Sequence, residues 1–125
     1  MTKNNNNIRF YYIKENRGDF DNPGLHSIAC VCLIRDEETG KYCRGVSVCS
    51  PREKCFRKVV GRGIAYSYAV HALRTKESTG YSFTANTYSA YHHAVSYYGF
   101  PDTGKIMKSE YDAKLTPFEE KVWND

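Results

Sequence analysis

Ser50-Pro51-Arg52-Glu53-Lys54-Cys55-Phe56-Arg57-Lys58-Val59-Val60-Gly61-Arg62-Gly63-Ile64-Ala65-Tyr66-Ser67-Tyr68-Ala69-Val70-His71-Ala72-Leu73-Arg74-Thr75-Lys76 is the stretch that organises this chain. Its first four residues form a helix-start signature. The serine hydroxyl can accept from a free backbone N–H, proline suits the first helical position, and Glu53 sits where a capping-box carboxylate reaches back. No further proline occurs until Pro101. At 100° per residue, Cys55, Phe56, Val59, Tyr66, Val70 and Leu73 share one side, read as buried. Lys54, Arg57, Lys58, Gly61, Tyr68 and His71 fall opposite. Glycine inside a helix costs roughly 1 kcal/mol relative to alanine. Gly61 therefore marks either a close ligand or partner, or a helix contact, kink or break at Gly61-Arg62-Gly63.

Outward from this helix, the preceding sequence is strand-like. Ile8 to Lys14 is rich in aromatic and β-branched residues. In Ile28 to Arg35, Ile28, Cys30, Cys32 and Ile34 alternate with Ala29, Val31 and Leu33, and both sets are apolar. That pattern predicts a strand covered on both faces. Asp36-Glu37-Glu38-Thr39-Gly40 reads as a hairpin loop with Gly40 at positive φ, and Lys41 to Cys49 as the returning strand. Beyond the helix, Glu77 to Gly80 breaks the pattern, and Tyr81, Phe83 and Asn86 lead into a second helix over Thr87 to Tyr98. Its stripe is Tyr88, Tyr91, Ala94, Val95 and Tyr98, ended by Gly99 and Pro101. Gly99 to Lys114 reads as a basic loop. Thr116-Pro117-Phe118-Glu119 repeats the capping signature and opens a short helix through Trp123. The expected fold is α+β: a small antiparallel sheet of about three or more strands, then two main helices and a short C-terminal one. The 125 residues suit a single domain over 1–125.

The net charge of +4 is mild, and eleven tyrosines are the unusual feature. Tyrosine carries a flat apolar face with a polar tip and suits wet interfaces and stacking pockets. The five cysteines are odd in number, contain no Cys-x-x-Cys pair and follow no secretion signal. They are expected to be reduced, in the cytoplasm. No apolar run is long enough to span a membrane.

Catalytic chemistry does not stand out. His26, His71, His92 and His93 lack metal-ligand spacing, Ser47 and Ser50 lack a hydrolase elbow, and no carboxylate pair is singled out. No enzyme, metal or cofactor is expected. Recognition remains: Arg57, Lys58 and Arg62 offer phosphate donors, Tyr81 and Phe83 stacking faces, Asn86 a reader of a base edge or ribose, and Gly61 a close approach.

Through Ser47-Val48-Cys49-Ser50-Pro51, Phe56-Arg57-Lys58 and Gly61-Arg62-Gly63-Ile64-Ala65, the chain resembles the first type of phage Thoeris anti-defence protein. The resemblance extends to the preceding hairpin and the aromatic stretch after Gly80. It implies a noncatalytic, homo-oligomeric sponge in the cytoplasm of the bacterial host. Such proteins bind cyclic ADP-ribose-type signalling nucleotides in pockets shared between subunits, and some also hold cyclic oligonucleotides. Arg57 and Phe83 are the pocket positions carried over from the resemblance. The alternative is a small basic phage protein that binds nucleic acid or inhibits a host factor; an enzyme cleaving the nucleotide comes third.

Overall fold

The computed structural model describes residues 7–16, 25–48, 58–84 and 89–125. They run β1 (Ile8–Asn16), β2 (Leu25–Arg35), β3 (Tyr42–Val48), α1 (Lys58–Thr75), β4 (Thr79–Thr84), α2 (Ser89–Tyr98), β5 (Lys105–Tyr111) and α3 (Pro117–Asn124). The strands make one antiparallel sheet in the order β1-β2-β3-β5-β4. The fold is α+β, with α1 on one face of the sheet and α2 and α3 on the other.

β2 is apolar on both sides because both sides are covered. Cys30, Cys32 and Ile34 join Cys43 beneath the alanines of α1. Ala29, Val31 and Leu33 join Tyr11, Ile13 and Val46 in the layer beneath α2. Ile28 departs from the expected alternation and joins this second layer. Ile13 pairs with Ala29 and Lys14 with Ser27, so Ile28 is the extra residue of a bulge and is re-aimed by it. The hairpin after β2 closes as expected, with Gly40 at φ +76° and its N–H donating to the Asp36 carbonyl at 2.7 Å.

α1 meets the sequence expectation only in part: Val70 and Leu73 pack half-buried against the core, but the helix is rotated so that other residues face the sheet most closely. Its buried residues are Gly61, Ala65, Ala69 and Ala72, whereas Val59 is 83% and Tyr66 44% exposed. The cause lies in β3. A Cβ at Gly45 would fall on the Ala65 carbonyl oxygen and the Ala69 nitrogen. Helix backbone thus lies against strand backbone, and only small side chains fit between them. Gly61 belongs to this contact, and its carbonyl accepts from the Ser47 hydroxyl at 2.7 Å. The helix runs through Gly61-Arg62-Gly63 without a break. Ser50 to Arg57, including the expected cap, lies outside the described residues, as does Thr87-Tyr88 at the start of the second helix.

Residues 105–111, expected as loop, form β5. Lys-Ile-Met-Lys-Ser-Glu-Tyr carries too few apolar residues to read as a strand, yet it inserts between β3 and β4. Cross-strand chemistry holds it: Arg44 pairs with Glu110 in register, and their side chains form an ion pair at 2.8 Å. β4 is likewise a strand rather than a lead into a helix. Its bulge between Tyr81 and Phe83 sends Phe83 into the core while Tyr81 stays exposed.

α3 carries the expected capping box. Thr116 Oγ accepts from the Glu119 N–H at 3.1 Å, and the Thr116 N–H donates to Glu119 Oε1 at 3.1 Å. Glu119 does more than cap. It is fully buried, pairs with both Nε and Nη2 of Arg44, and accepts from the Tyr11 hydroxyl at 2.7 Å. Burial disfavours the Arg44 charge, but Glu119 and Glu110 outweigh it and raise the guanidinium pKa. Burial, then Glu119, holds the Tyr11 phenol protonated well above its usual range. This cluster fastens the C-terminal helix to the centre of the sheet.

Candidate functional site

Among the described residues, a cleft suited to a small ligand lies beside the β4 edge, on residues that loop and strand place together. Gly99 at φ +77° ends α2 and lets Phe100 turn back into the core, where its N–H donates to the Ala94 carbonyl at 3.1 Å. The following loop is pinned by Tyr91. Its hydroxyl donates to Asp102 Oδ1 at 2.6 Å and accepts from the Gly104 N–H at 2.6 Å. The bond to Asp102, with burial behind it, raises the Tyr91 pKa. The chain then enters β5 at Lys105.

Tyr81, Phe100, Thr103, Lys105, Met107 and Lys114 line a cleft of about 320 Å³, with the Arg44–Glu110 ion pair on its wall. Lys105 Nζ stands 4.7 Å from the Tyr81 ring centroid, and the Arg44 guanidinium 4.8 Å from that of Phe100. Glu119, Glu110 and the Lys114 carbonyl already accept from Arg44, so its charge is matched by partners. Among the described residues, Lys105 and Lys114 pair with no carboxylate. The arrangement offers aromatic surface with mobile cations beside it. A planar ring carrying an anionic group is the ligand chemistry that it fits.

Of the described residues singled out in sequence, Gly61, Arg62 and Phe83 do not line this cleft within one protomer. Tyr81 does line the cleft. Phe83 is 2% exposed and packs edge-on against Tyr91, which makes it a core anchor. Gly61 is buried against the sheet. Arg62 is exposed, with its guanidinium 4.7 Å above the Phe10 ring. Phe10 is on β1 and Tyr81 on β4, the two opposite edges of the sheet. Lys58 is the first described residue of α1; Arg57 and Asn86 lie outside the described residues. Lys105, Lys114 and Phe100 were missed because 99–114 reads as loop, although its basic character was visible.

Elsewhere, Cys30, Cys32 and Cys43 are free thiols buried under α1. Burial pushes Cys30 and Cys32 up to about 12 and Cys43 to about 11. Among the described residues, no three His, Cys, Asp or Glu side chains form a metal-holding group, and no helix is long and apolar enough to cross a membrane. Comparison with protein-family models, curated proteins and solved structures gives no match.

Proposed function

We propose that this chain binds a small phosphate-bearing nucleotide, of the cyclic ADP-ribose type, and holds it without cleaving it. The setting proposed is the cytoplasm of a bacterial host, where a self-associating phage protein would starve a TIR-based defence of its signal. The observation that carries the binding part is the cleft in which Tyr81 and Phe100 lie beside Lys105 and Lys114. Aromatic faces suit a purine, and lysines without carboxylate partners suit phosphate. The setting rests on the resemblance around Ser47–Ala65.

The volume of the cleft, about 320 Å³, is at the low end for a ligand pocket. It suits a base and its sugar, with the phosphates reaching outward to further cations. Arg57, Lys58 and Arg62 of a neighbouring subunit are the proposed source. A duplex-binding stripe has less support, since the cations are dispersed. Arg9 lies over Trp123, Arg62 over Phe10 and Lys108 over Tyr68, while Lys76 is paired with Asp36.

Calorimetric titration with cyclic ADP-ribose isomers, linear ADP-ribose and a cyclic oligonucleotide panel tests the reading. Tight binding of a cyclic isomer is expected, weakened at least tenfold by Lys105→Ala and by Arg57→Ala, each worth about 1.5–3 kcal/mol as a charge-assisted contact. Heating the complex should release intact ligand, read by mass spectrometry. Binding to none of these compounds overturns the reading, and a time-dependent product would make the protein an enzyme.

A further inference from the structure

Among the described residues that line the cleft, Glu110 is the one carboxylate, and it shares the wall with Lys105 and Lys114. A site built only for an anion has no use for it, since a phosphate brought close is repelled. Neither lysine lies within ion-pair distance of it.

The pairing with Arg44 holds Glu110 but does not use up its charge. Arg44 is one positive charge, and Glu119 already matches it. Glu119 accepts from Nε and Nη2 of Arg44, from the Tyr11 hydroxyl and from the Thr116 N–H. Burial keeps Tyr11 protonated and neutral. Glu110 brings a second carboxylate to the same guanidinium, so the cluster carries a surplus negative charge. The Glu119 side chain is 0% exposed and that of Glu110 33%. The surplus therefore meets the cleft at Glu110.

This carboxylate is also fixed before a ligand arrives. Glu110 stands in register with Arg44 across β3 and β5. Arg44 Nη1 donates to its Oε1 at 2.8 Å, and Oε2 has no donor among the described residues. An acceptor that is already ordered loses little freedom on binding.

We propose that Glu110 is the specificity-determining residue of the cleft, accepting from the neighbouring hydroxyls of a ribose, so that the ligand is a ribonucleotide with that pair free. The inference rests on the nucleotide reading above and adds which part of the ligand is recognised. Charge selects the hydroxyls. Glu110 repels a phosphate, and Lys105 and Lys114 repel an amine cation, whereas a neutral donor pair on an anionic molecule suits all three. The base takes the faces of Tyr81 and Phe100 and the phosphates take the lysines, which leaves the sugar for Glu110. Acidic side chains accept from ribose hydroxyls in dinucleotide-binding folds in the same way. The edge of guanine offers a comparable neutral pair, and the test separates it.

The test is calorimetric titration of the full chain, as wild type and as Glu110→Gln. The ligands are ADP, 2′-deoxy-ADP, 3′-deoxy-ADP, GDP, a cyclic ADP-ribose isomer and inorganic pyrophosphate. Glutamine keeps an acceptor for Arg44 and removes the charge. Wild type should bind ADP at least about tenfold tighter than either deoxy form, and Glu110→Gln should cut that preference below about threefold. The cyclic isomer should lose at least about fivefold in Glu110→Gln. Pyrophosphate, which has no hydroxyl pair, should bind the variant as well as or better than wild type.

Unchanged affinity for the cyclic isomer in the variant overturns the proposal. Parallel weakening of nucleotide and pyrophosphate also overturns it, because that is what mere support of Arg44 would give. So does a preference for ADP that survives the substitution. A Glu110-dependent preference for GDP assigns the carboxylate to a base edge and overturns the sugar assignment. If Glu110→Gln does not fold, equal binding of ADP and its deoxy forms to wild type overturns the proposal by itself. Discrimination among the ADP compounds without binding of the cyclic isomer removes the signalling-nucleotide reading and leaves the role of Glu110 standing. Binding of none of the compounds overturns both.

Discussion

Arg44 Nε lies 2.9 Å from Glu119 Oε2, joining the middle of the sheet to the first turn of the last helix across 75 residues of chain. Both side chains are withdrawn from solvent. The pair therefore stabilises only while each charge keeps its partner.

Glu119→Gln removes that charge while keeping the shape. Arg44 is then left buried with Glu110 as its carboxylate partner among the described residues, and a loss of about 3–5 kcal/mol is expected in urea unfolding. Lys41→Ala removes the exposed Lys41–Asp112 pair at 3.8 Å and should change stability by less than about 0.5 kcal/mol. Equal losses would refute the distinction.

Gly45→Ala should be among the most damaging single-methyl additions. The new carbon would meet helix backbone, not the end of a flexible side chain. A cost of at least about 3 kcal/mol, or failure to fold, is expected. Gly63→Ala, in open space, should instead leave the monomer as stable or raise its stability by up to about 1 kcal/mol. Thermal melts of both variants check this.

Tyr81 and Phe83 should separate by experiment. Phe83→Ala empties a core position against Tyr91 and should cost about 3–5 kcal/mol of stability. Tyr81→Ala should leave the melting curve nearly unchanged and weaken nucleotide binding by about 1–3 kcal/mol. Loss of binding without loss of stability at Phe83 would reverse the assignment.

Acid should release the β2–β3 hairpin from the end of α1. The Lys76 ammonium, 2.5 Å from Asp36, and the Glu38 N–H hold the Asp36 carboxyl below its usual pKa. A lowered folded-state value means stability that is present above the unfolded-state pKa and is lost as pH falls through the folded one. The stability gap between wild type and Asp36→Asn should thus be full at pH 7 and close under acid. A gap independent of pH would contradict this.

Alkali acts through the thiols with the opposite sign. Cys30 and Cys32 rise to about 12 when folded. Their contribution is complete below the ordinary thiol pKa and falls away as pH rises from there toward 12. Iodoacetamide at pH 8 should leave Cys30, Cys32 and Cys43 unmodified until denaturant is added, as read by peptide mapping. Labelling of Cys30 or Cys32 in the native protein would refute their burial.

Legibility followed the size of the local signal. The β2 run, the Gly40 turn and the Thr116 capping box each have a local cause within a few residues, and each was readable. The buried side of α1 was readable only at Val70 and Leu73, because hydrophobicity also points to Val59 and Tyr66 while a glycine elsewhere, Gly45, demands alanines. β5 was hidden for a related reason: its strand character depends on Arg44, distant in sequence. For the candidate site, Tyr81 was visible as an exposed aromatic. Lys105 and Phe100 become its neighbours only once β5 and the turn at Gly99 are in place. Phe83 was misleading because one bulge separates it from Tyr81.

The position of β5 between β3 and β4 also sets an order of events. β4 is made before β5, yet in the finished sheet its ladder runs along β5. β5 meets β3 through pairs such as Arg44 with Glu110, 66 residues apart. During synthesis, β1, β2 and β3 can zip together as they emerge, while β4 must wait with its edge unmatched until the chain has passed through α2 and the strand Lys105–Tyr111 arrives to close the gap. Such distant pairing slows folding, and the cleft beside Tyr81 comes into being only at that last closure.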